Sequence, residues 1–261
     1  PATRAPHPLS GDLDEIFRRV GDLWGEFRGQ RIFMTGATGF FGKWLLESLI
    51  WADQRLALNI DVVVLTRDAT PLLKSLPHLG ANDVIRFQHG DVRTFAFPEG
   101  RFDTVIHMAT TSAEATFGGE KPLEKFTTSA FGTQRVLEFA ARCGAKRFLL
   151  TSSGNAYGPI AKGSPPISEN HVGAPDIENP VASALGEGKR AAELLTRIYA
   201  ENHGFEAKLC RCFTFIGPHL QTELHYAAGN FIRDAASGMP IRVKSDGSPL
   251  RSFLYPTDLI V

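Results

Sequence analysis

Hydrophobic positions along this chain alternate between two spacings. Short unbroken apolar runs, bounded by turn residues, predict strands at Arg31–Thr35, Asp61–Thr66, Val84–Gln88, Thr104–Met108 and Arg147–Thr151. Between them apolar residues recur every three to four positions, which predicts helices over Phe41–Ala52, Leu123–Cys143 and Ala182–Asn202, the second closed by Gly144 as its C-cap. Ahead of the first strand, Leu13, Ile16, Phe17, Val20, Leu23, Trp24 and Phe27 recur at helical spacing with charges between them, an amphipathic entry helix. A parallel, doubly wound α/β sheet is the economical packing for strands and helices in this order. The stretch Gly158–Pro180 holds five prolines and three glycines and reads as a long loop, a length that is usually functional or disordered. After Phe213 the texture changes to isolated turns, a short helix around Asn230–Ser237 and brief strands near Ile241–Val243 and Ser252–Tyr255, where a smaller lobe is expected to begin.

Composition narrows the class. With 261 residues, 43% of them hydrophobic, the chain can bury one sizeable core. Lys+Arg and Asp+Glu both number 28, so no net field favours nucleic acid or an anionic membrane, and any anion must be caught by local geometry. No basic stripe supports a third class, an RNA- or DNA-binding module. Cys143, Cys210 and Cys212 have no metal-ligand spacing and leave an odd thiol; they read as small buried hydrophobes in a reducing compartment, and no metal is expected. Pro1–Ser10 shows no basic start followed by an apolar run, and no long apolar span follows, so a cytoplasmic protein without membrane attachment is expected.

The first strand runs into Thr35-Gly36-Ala37-Thr38-Gly39-Phe40-Phe41-Gly42, and helical periodicity resumes at Trp44. Glycines spaced three apart allow a tight turn and close backbone approach to a pyrophosphate, whose charge then faces the amides and positive end of the following helix. A glycine triplet alone could be a plain strand-to-helix turn; the strand before and the helix after make it a dinucleotide site. The expected division is therefore an N-terminal arm and helix over residues 1–29, a Rossmann dinucleotide-binding domain over 30–212 and a partial substrate-binding lobe over 213–261.

Thr35 to Gly42 resembles the cofactor signature of extended short-chain dehydrogenases, the family of NAD-dependent nucleotide-sugar epimerases and dehydratases. The likeness continues through Gly90-Asp91-Val92, Val105 to Ala109, Thr151 to Gly158, Gly188 to Glu193, Arg211 to Pro218, Asn230-Phe231-Ile232 and Arg251 to Asp258. The resemblance implies that Gly36, Thr38, Gly39, Phe40, Phe41 and Gly42 hold the diphosphate, that Asp91 and Val92 meet the adenine, and that Met108, Ala109 and Thr110 run beside the cofactor. At the end of the second strand a carboxylate would accept bonds from a ribose 2′-hydroxyl, whereas an arginine would accommodate a 2′-phosphate. Arg67 argues for NADP and Asp68 could serve NAD; a solvated loop charge is the plain alternative for Arg67. Relatives mostly keep NAD, so NAD is expected, with NADP possible.

For catalysis the resemblance implies a Ser or Thr four residues before a Tyr-Gly pair, matched by Ser153, and a tyrosine and lysine four apart on one helix. Lys189 matches, and would also hold the nicotinamide ribose. Four residues earlier stands Leu185, which can neither take nor give a proton. Loss of a positioned acid/base typically costs about 100- to 10,000-fold. Three readings stay open: a substituted or misread position in an otherwise intact enzyme, another group acting as base, or a chain that binds without turnover. Tyr157 does not fit the role by spacing and reads as a core aromatic. Relatives that eliminate water place an Asp-Glu pair after the catalytic Thr; here Gly154 and Asn155 stand there, which disfavours a 4,6-dehydratase and leaves epimerisation, decarboxylation or oxidoreduction through a keto-sugar. Two further departures are Ser129 and Thr214, each where the family has Asn.

Asn230 and Arg251 match positions that grip the substrate pyrophosphate in the family, arginine being suited to a bidentate phosphate contact. Asn230 could equally be the N-cap of its helix. His219, His225 and Tyr226 could line the pocket or be ordinary loop residues. Relatives continue beyond Asp258, so the lobe is expected to be incomplete, and they commonly pair their two long helices across a two-fold axis, so a homodimer is expected. A nucleotide-sugar-modifying enzyme is thus the first reading, and a cofactor-binding pseudoenzyme or regulator the second.

Overall fold

The central apolar runs assemble into one parallel sheet because they are hydrophobic on both faces and need cover on both. A computed structural model describes residues 7–111, 119, 121–161, 164–223, 227–243, 246–248 and 250–261. Its main sheet is built from β1 (Arg31–Thr35), β2 (Asp61–Thr66), β3 (Ile85–His89), β4 (Thr104–His107), β5 (Arg147–Ser153) and β6 (Glu206–Cys212), in the order β3-β2-β1-β4-β5-β6. All neighbouring pairs are parallel. Helices α1 (Ser10–Val20) and α2 (Phe40–Leu56) cover one face, packing on Ile32, Met34, Val62, Val64 and Ile106. On the other face α5 (Pro122–Cys143) packs Val136, Leu137 and Phe139 against Phe33, Val63, Val105 and Phe148, and α6 (Pro180–His203) lies against α5. Between β2 and β3 lie two short helices, α3 (Thr70–Ser75) and α4 (Pro77–Gly80). Chain order reverses between β1 and β4, which opens a crevice beyond their carboxyl ends.

Differences from the sequence expectation have local causes. The entry periodicity spans two elements, because Gly21 at φ 57° ends α1 and Gly21–Phe27 continues as a 3-10 helix. β3 begins one residue later than its apolar run, at Ile85. β6 escaped the apolar-run criterion because an edge strand may alternate, and Glu206, Lys208 and Cys210 point to solvent. Gly144 takes the left-handed conformation expected of a C-cap, φ 71°. In the lobe, Ile241–Val243 is exposed and forms no strand, whereas β7 (Thr214–Phe215) pairs in parallel with β8 (Phe253–Leu254). Asn230 is not an N-cap: α7 (Ala227–Ala236) begins three residues earlier, and the Asn230 amide oxygen accepts from Arg233. The lobe is anchored to the amino-terminal helix through Arg19 with Asp258 and through the Tyr255 hydroxyl, which donates to Asp12, as α8 (Pro256–Ile260) packs on α1 and α2.

Phe139 lies at the centre of an aromatic group with Phe33, Phe95, Phe97 and Phe102, the Phe33 ring centroid being 4.6 Å away. Phe139→Ala is expected to cost about 3–5 kcal/mol, seen as a lower urea midpoint at unchanged slope.

Candidate active site

The crevice takes its shape from glycines. At Gly36 (φ 73°) a Cβ would stand 2.5 Å from the Met108 carbonyl carbon and 2.6 Å from the Ala109 nitrogen, so only glycine lets the β1 turn close on the end of β4. At Gly42 a Cβ would lie 2.2 Å from the Ala37 Cα, so the first turn of α2 presses directly on the loop before it. Gly39 caps α2 with no side chain over its amides, which leaves that positive helix end for an anion.

Above this corner opens a cavity of about 970 Å³. Of the residues assigned to a cofactor, Gly36, Thr38, Gly39, Phe40, Phe41, Arg67, Asp91, Val92, Met108, Ala109, Thr110 and Lys189 line it, while Gly42 sits behind the turn. Arg67 reaches the cavity; Asp68 does not, because its carboxylate accepts the Thr70 amide at 2.8 Å, bonds that hold it below the usual carboxylate range. Asp91 is clamped by Arg93 through two hydrogen bonds of 2.9 and 3.0 Å. The Arg93 bond leads the causes that hold the Asp91 carboxyl low. Lys121, Glu124 and Thr128, at the start of α5, also line the wall and carry no motif that would have named them.

Ser153, Leu185 and Lys189 converge on the same cavity. Leu185 and Lys189 share a face of α6 one turn apart, and Ser153 ends β5, its Oγ accepting the Asn155 amide at 3.2 Å. The Lys189 ammonium is buried and donates to the Thr151 carbonyl at 2.7 Å; burial lowers it from the ordinary 10.5 to about 8, against opposing pulls from Cys212 and Glu193. One turn further, Glu193 accepts two bonds from Arg211, at 2.9 and 2.7 Å, and one from the Ser152 hydroxyl. Burial pushes Glu193 up, but the Arg211 and Ser152 bonds outweigh it and hold it ionised. This anchor between α6, β5 and β6 was not assigned a role from sequence, although the spacing from Lys189 to Glu193 placed both on one helix face. Cys212 lines the cavity as a thiol, pushed up to about 11 by burial, and Cys210, expected to be buried, is exposed.

His107 has a structural role. Thr133 donates to the Ser129 carbonyl at 2.6 Å, so it accepts from His107 Nε2 (2.9 Å), and Nδ1 takes the Thr35 hydroxyl proton at 2.6 Å. Burial, with the Lys189 charge, lowers this imidazole to about 3, so it stays neutral and ties β1, β4 and α5 together.

Other residues are placed elsewhere. Asn230 on α7 and the exposed Arg251, whose guanidinium donates to its neighbour Leu250, do not line the cavity. Tyr157 is a buried aromatic under the Arg211 guanidinium, 4.3 Å from its ring centre, and does not line the cavity. His219 packs edge-on against Trp44, and His225 and Tyr226 lie outside the described residues. No helix among the described residues is long and apolar enough to cross a membrane.

A glycine turn at a sheet switch point, with a buried helix lysine opposite, defines a dinucleotide-binding α/β protein. The model of the NAD dependent epimerase/dehydratase family matches residues 32–261, and the chain belongs to that family. It is 31% identical over 233 residues to UDP-glucuronic acid decarboxylases 1 and 6 of Arabidopsis thaliana, covering 88% of this chain and 50% and 64% of theirs. The chain thus spans between half and two thirds of the length of these curated relatives. Among solved structures, UDP-glucuronic acid 4-epimerase from Bacillus cereus superposes with a TM-score of 0.72 at 24% identity, over 88% of this chain and 70% of that one. A dTDP-glucose 4,6-dehydratase from Streptomyces venezuelae, solved with NAD bound, gives 0.70 at 25% identity over 88% and 69%.

Lys189 is protonated in the unfolded chain up to about its ordinary 10.5 but in the folded chain only to about 8. Between those values the folded state holds fewer protons, so this residue's contribution to stability grows as pH rises. In paired urea unfolding, stability relative to Lys189→Met is expected to move in favour of the parent chain between about pH 7 and about pH 9.5; an unchanged difference would refute the burial argument.

Proposed function

We propose that this chain binds NAD in the crevice and belongs to an enzyme that modifies a nucleotide-linked sugar through a keto-sugar, by epimerisation, decarboxylation or oxidoreduction. The observation that carries this reading is the convergence of Ser153 and Lys189 on the glycine-built cavity. The residues suit the cofactor: an uncapped helix end for the diphosphate, an apolar slot of Leu65, Val92 and Met108 for the adenine, and a buried ammonium for ribose hydroxyls. The chemistry that NAD supplies when bound is reversible hydride acceptance from a sugar carbon. Ser153 Oγ orients the sugar hydroxyl, and Lys189, charged at neutral pH, holds ribose. Arg67 on the cavity wall leaves room for NADP as a second cofactor.

Elimination of water is disfavoured by residue type, Gly154 and Asn155 standing where an acid pair would serve it. A Cβ at Gly154 would stand 2.6 Å from the Phe213 ring, so a larger residue there would require that exposed ring to turn aside. Relatives named for UDP-glucuronic acid make that sugar nucleotide the first to try. Leu185 on the cavity wall favours one second reading, a cofactor-binding pseudoenzyme or regulator. With leucine there, Ser153 has no relay to carry a proton away. Leu185→Tyr is expected to raise turnover by about 100- to 10,000-fold, followed by chromatography of the products from UDP-, dTDP- and CDP-sugars, with nicotinamide absorbance reporting only a net oxidoreduction, and calorimetry is expected to detect NAD binding by both chains. NAD binding with no turnover by either favours the second reading, and no NAD binding rejects both.

The outer faces of α5 and α6 carry Leu123, Phe131, Leu194 and Ile198 exposed to solvent, Leu194 at 61% and Phe131 at 55%. We propose that these helices pair with those of a second copy. Sedimentation is expected to give a dimer that Leu194→Glu with Phe131→Glu converts to monomer; a monomeric parent chain would overturn the pairing.

A further inference from the structure

Outside the residues that line the crevice, three segments bring two imidazoles to one carboxylate. Glu47 lies on α2, on the face turned from solvent, with its side chain only 3% exposed. His78 on α4 approaches Glu47 Oε1 at 2.8 Å through Nε2, and His7, ahead of α1, approaches Oε2 at 3.4 Å through its own Nε2. One ligand atom from each of the three lies within 4.8 Å of the other two. The His7 and His78 rings meet edge to face, with centroids 5.1 Å apart, and His7 also touches Trp51. Among the described residues, Glu47 has no lysine or arginine ion pair.

A carboxylate this deeply buried needs positive charge beside it, or its desolvation goes uncompensated. Two imidazoles supply that charge only by taking up protons. A divalent cation supplies it without a proton. Two histidine nitrogens and a carboxylate oxygen suit zinc rather than the all-oxygen shells of magnesium or calcium. Tetrahedral zinc with bonds of about 2.0–2.1 Å places its ligand atoms roughly 3.3 Å apart, so on loading the 2.8 Å His78–Glu47 pair opens while the widest separation draws in. Loading has two local costs: metal on His78 Nε2 replaces its hydrogen bond to Glu47, and His7 gives up a bond of its own. The Leu9 amide now donates to His7 Nδ1 at 3.2 Å, and coordination through Nε2 puts the ring proton on Nδ1, which ends that bond. A third imidazole stands at the same corner: His219 packs on Trp44, one turn before Glu47, with its Nε2 buried and without a partner among the described residues.

We propose that His7, Glu47 and His78 form a zinc site, with a water or a further group completing the shell. The site is structural in placement: it clips the amino-terminal arm and the β2–β3 connection onto the middle of α2, the helix whose amino-terminal end presents the glycine corner. Positions 7, 47 and 78 form no ligand motif, so sequence alone assigns no metal there.

The test uses the whole chain, stripped by chelator and dialysed. Titration with zinc chloride in a calorimeter is expected to show one equivalent bound, with magnesium chloride giving no heat. Zinc is expected to raise Tm in a concentration-dependent manner, as any ligand of the folded state does. His7→Ala and His78→Ala, both at partly exposed positions, are each expected to fold and to weaken zinc uptake by more than about tenfold, the low end of the loss typical of an outer-shell partner. Glu47→Gln is expected to do the same, but its burial makes the histidine variants the deciding ones. Cobalt in place of zinc should give the visible absorbance of a four-coordinate ion. No uptake by the parent chain overturns the site. Uptake that survives both histidine variants and disappears when the thiols are alkylated also overturns it, by assigning the ion to cysteine.

Discussion

Everything in the crevice depends on backbone contact that no side chain could permit. Gly36 lies directly on the Met108 and Ala109 backbone, and Gly42 on Ala37, so β1, β4 and α2 meet at one point with their main chains touching. That contact places the uncapped end of α2 at the sheet switch point and brings Met108, Ala109 and Thr110 to the same wall. The neutral His107, held between Thr35 and Thr133, fixes the same strands from beneath. A charged imidazole in that position would face Lys189 across a dry interior, which is why burial and the lysine act on it in the same direction.

The opposite wall is arranged along α6 in successive turns. Glu193 fastens the helix to β5 and β6 through Ser152 and Arg211, Lys189 holds the Thr151 carbonyl, and Leu185 faces the cavity. The anchoring and the cation are thus in place around a residue without a proton. Among the described residues the Lys189 ammonium donates to the neutral Thr151 carbonyl, with the Glu193 carboxylate one turn away.

The strands and helices of the Rossmann domain were legible because parallel strands covered on both faces must be apolar runs, and covering helices must be amphipathic. The glycine corner was legible too, since glycine at those spacings is demanded by main-chain contact. β6 was not, because an edge strand needs only one protected side and keeps Glu206 and Lys208 in water. The lobe was read least well: Ile241–Val243 forms no strand, α7 starts before Asn230, and neither Asn230 nor Arg251 lines the cavity. Short elements there take their conformation from what they pack against, and local composition records little of that.

By itself the sequence determined the parallel α/β sheet, the dinucleotide corner and the alignment of Leu185 with Lys189, because each is set by residues adjacent in the chain or one helical turn apart. Only the tertiary structure decided that Arg67 rather than Asp68 reaches the cavity, that Phe213 occupies the space beside Gly154, that Glu193 pairs with Arg211, and that His7, Glu47 and His78 share one corner. Those facts depend on separations in space between residues far apart in the chain, which a linear pattern of polarity does not encode.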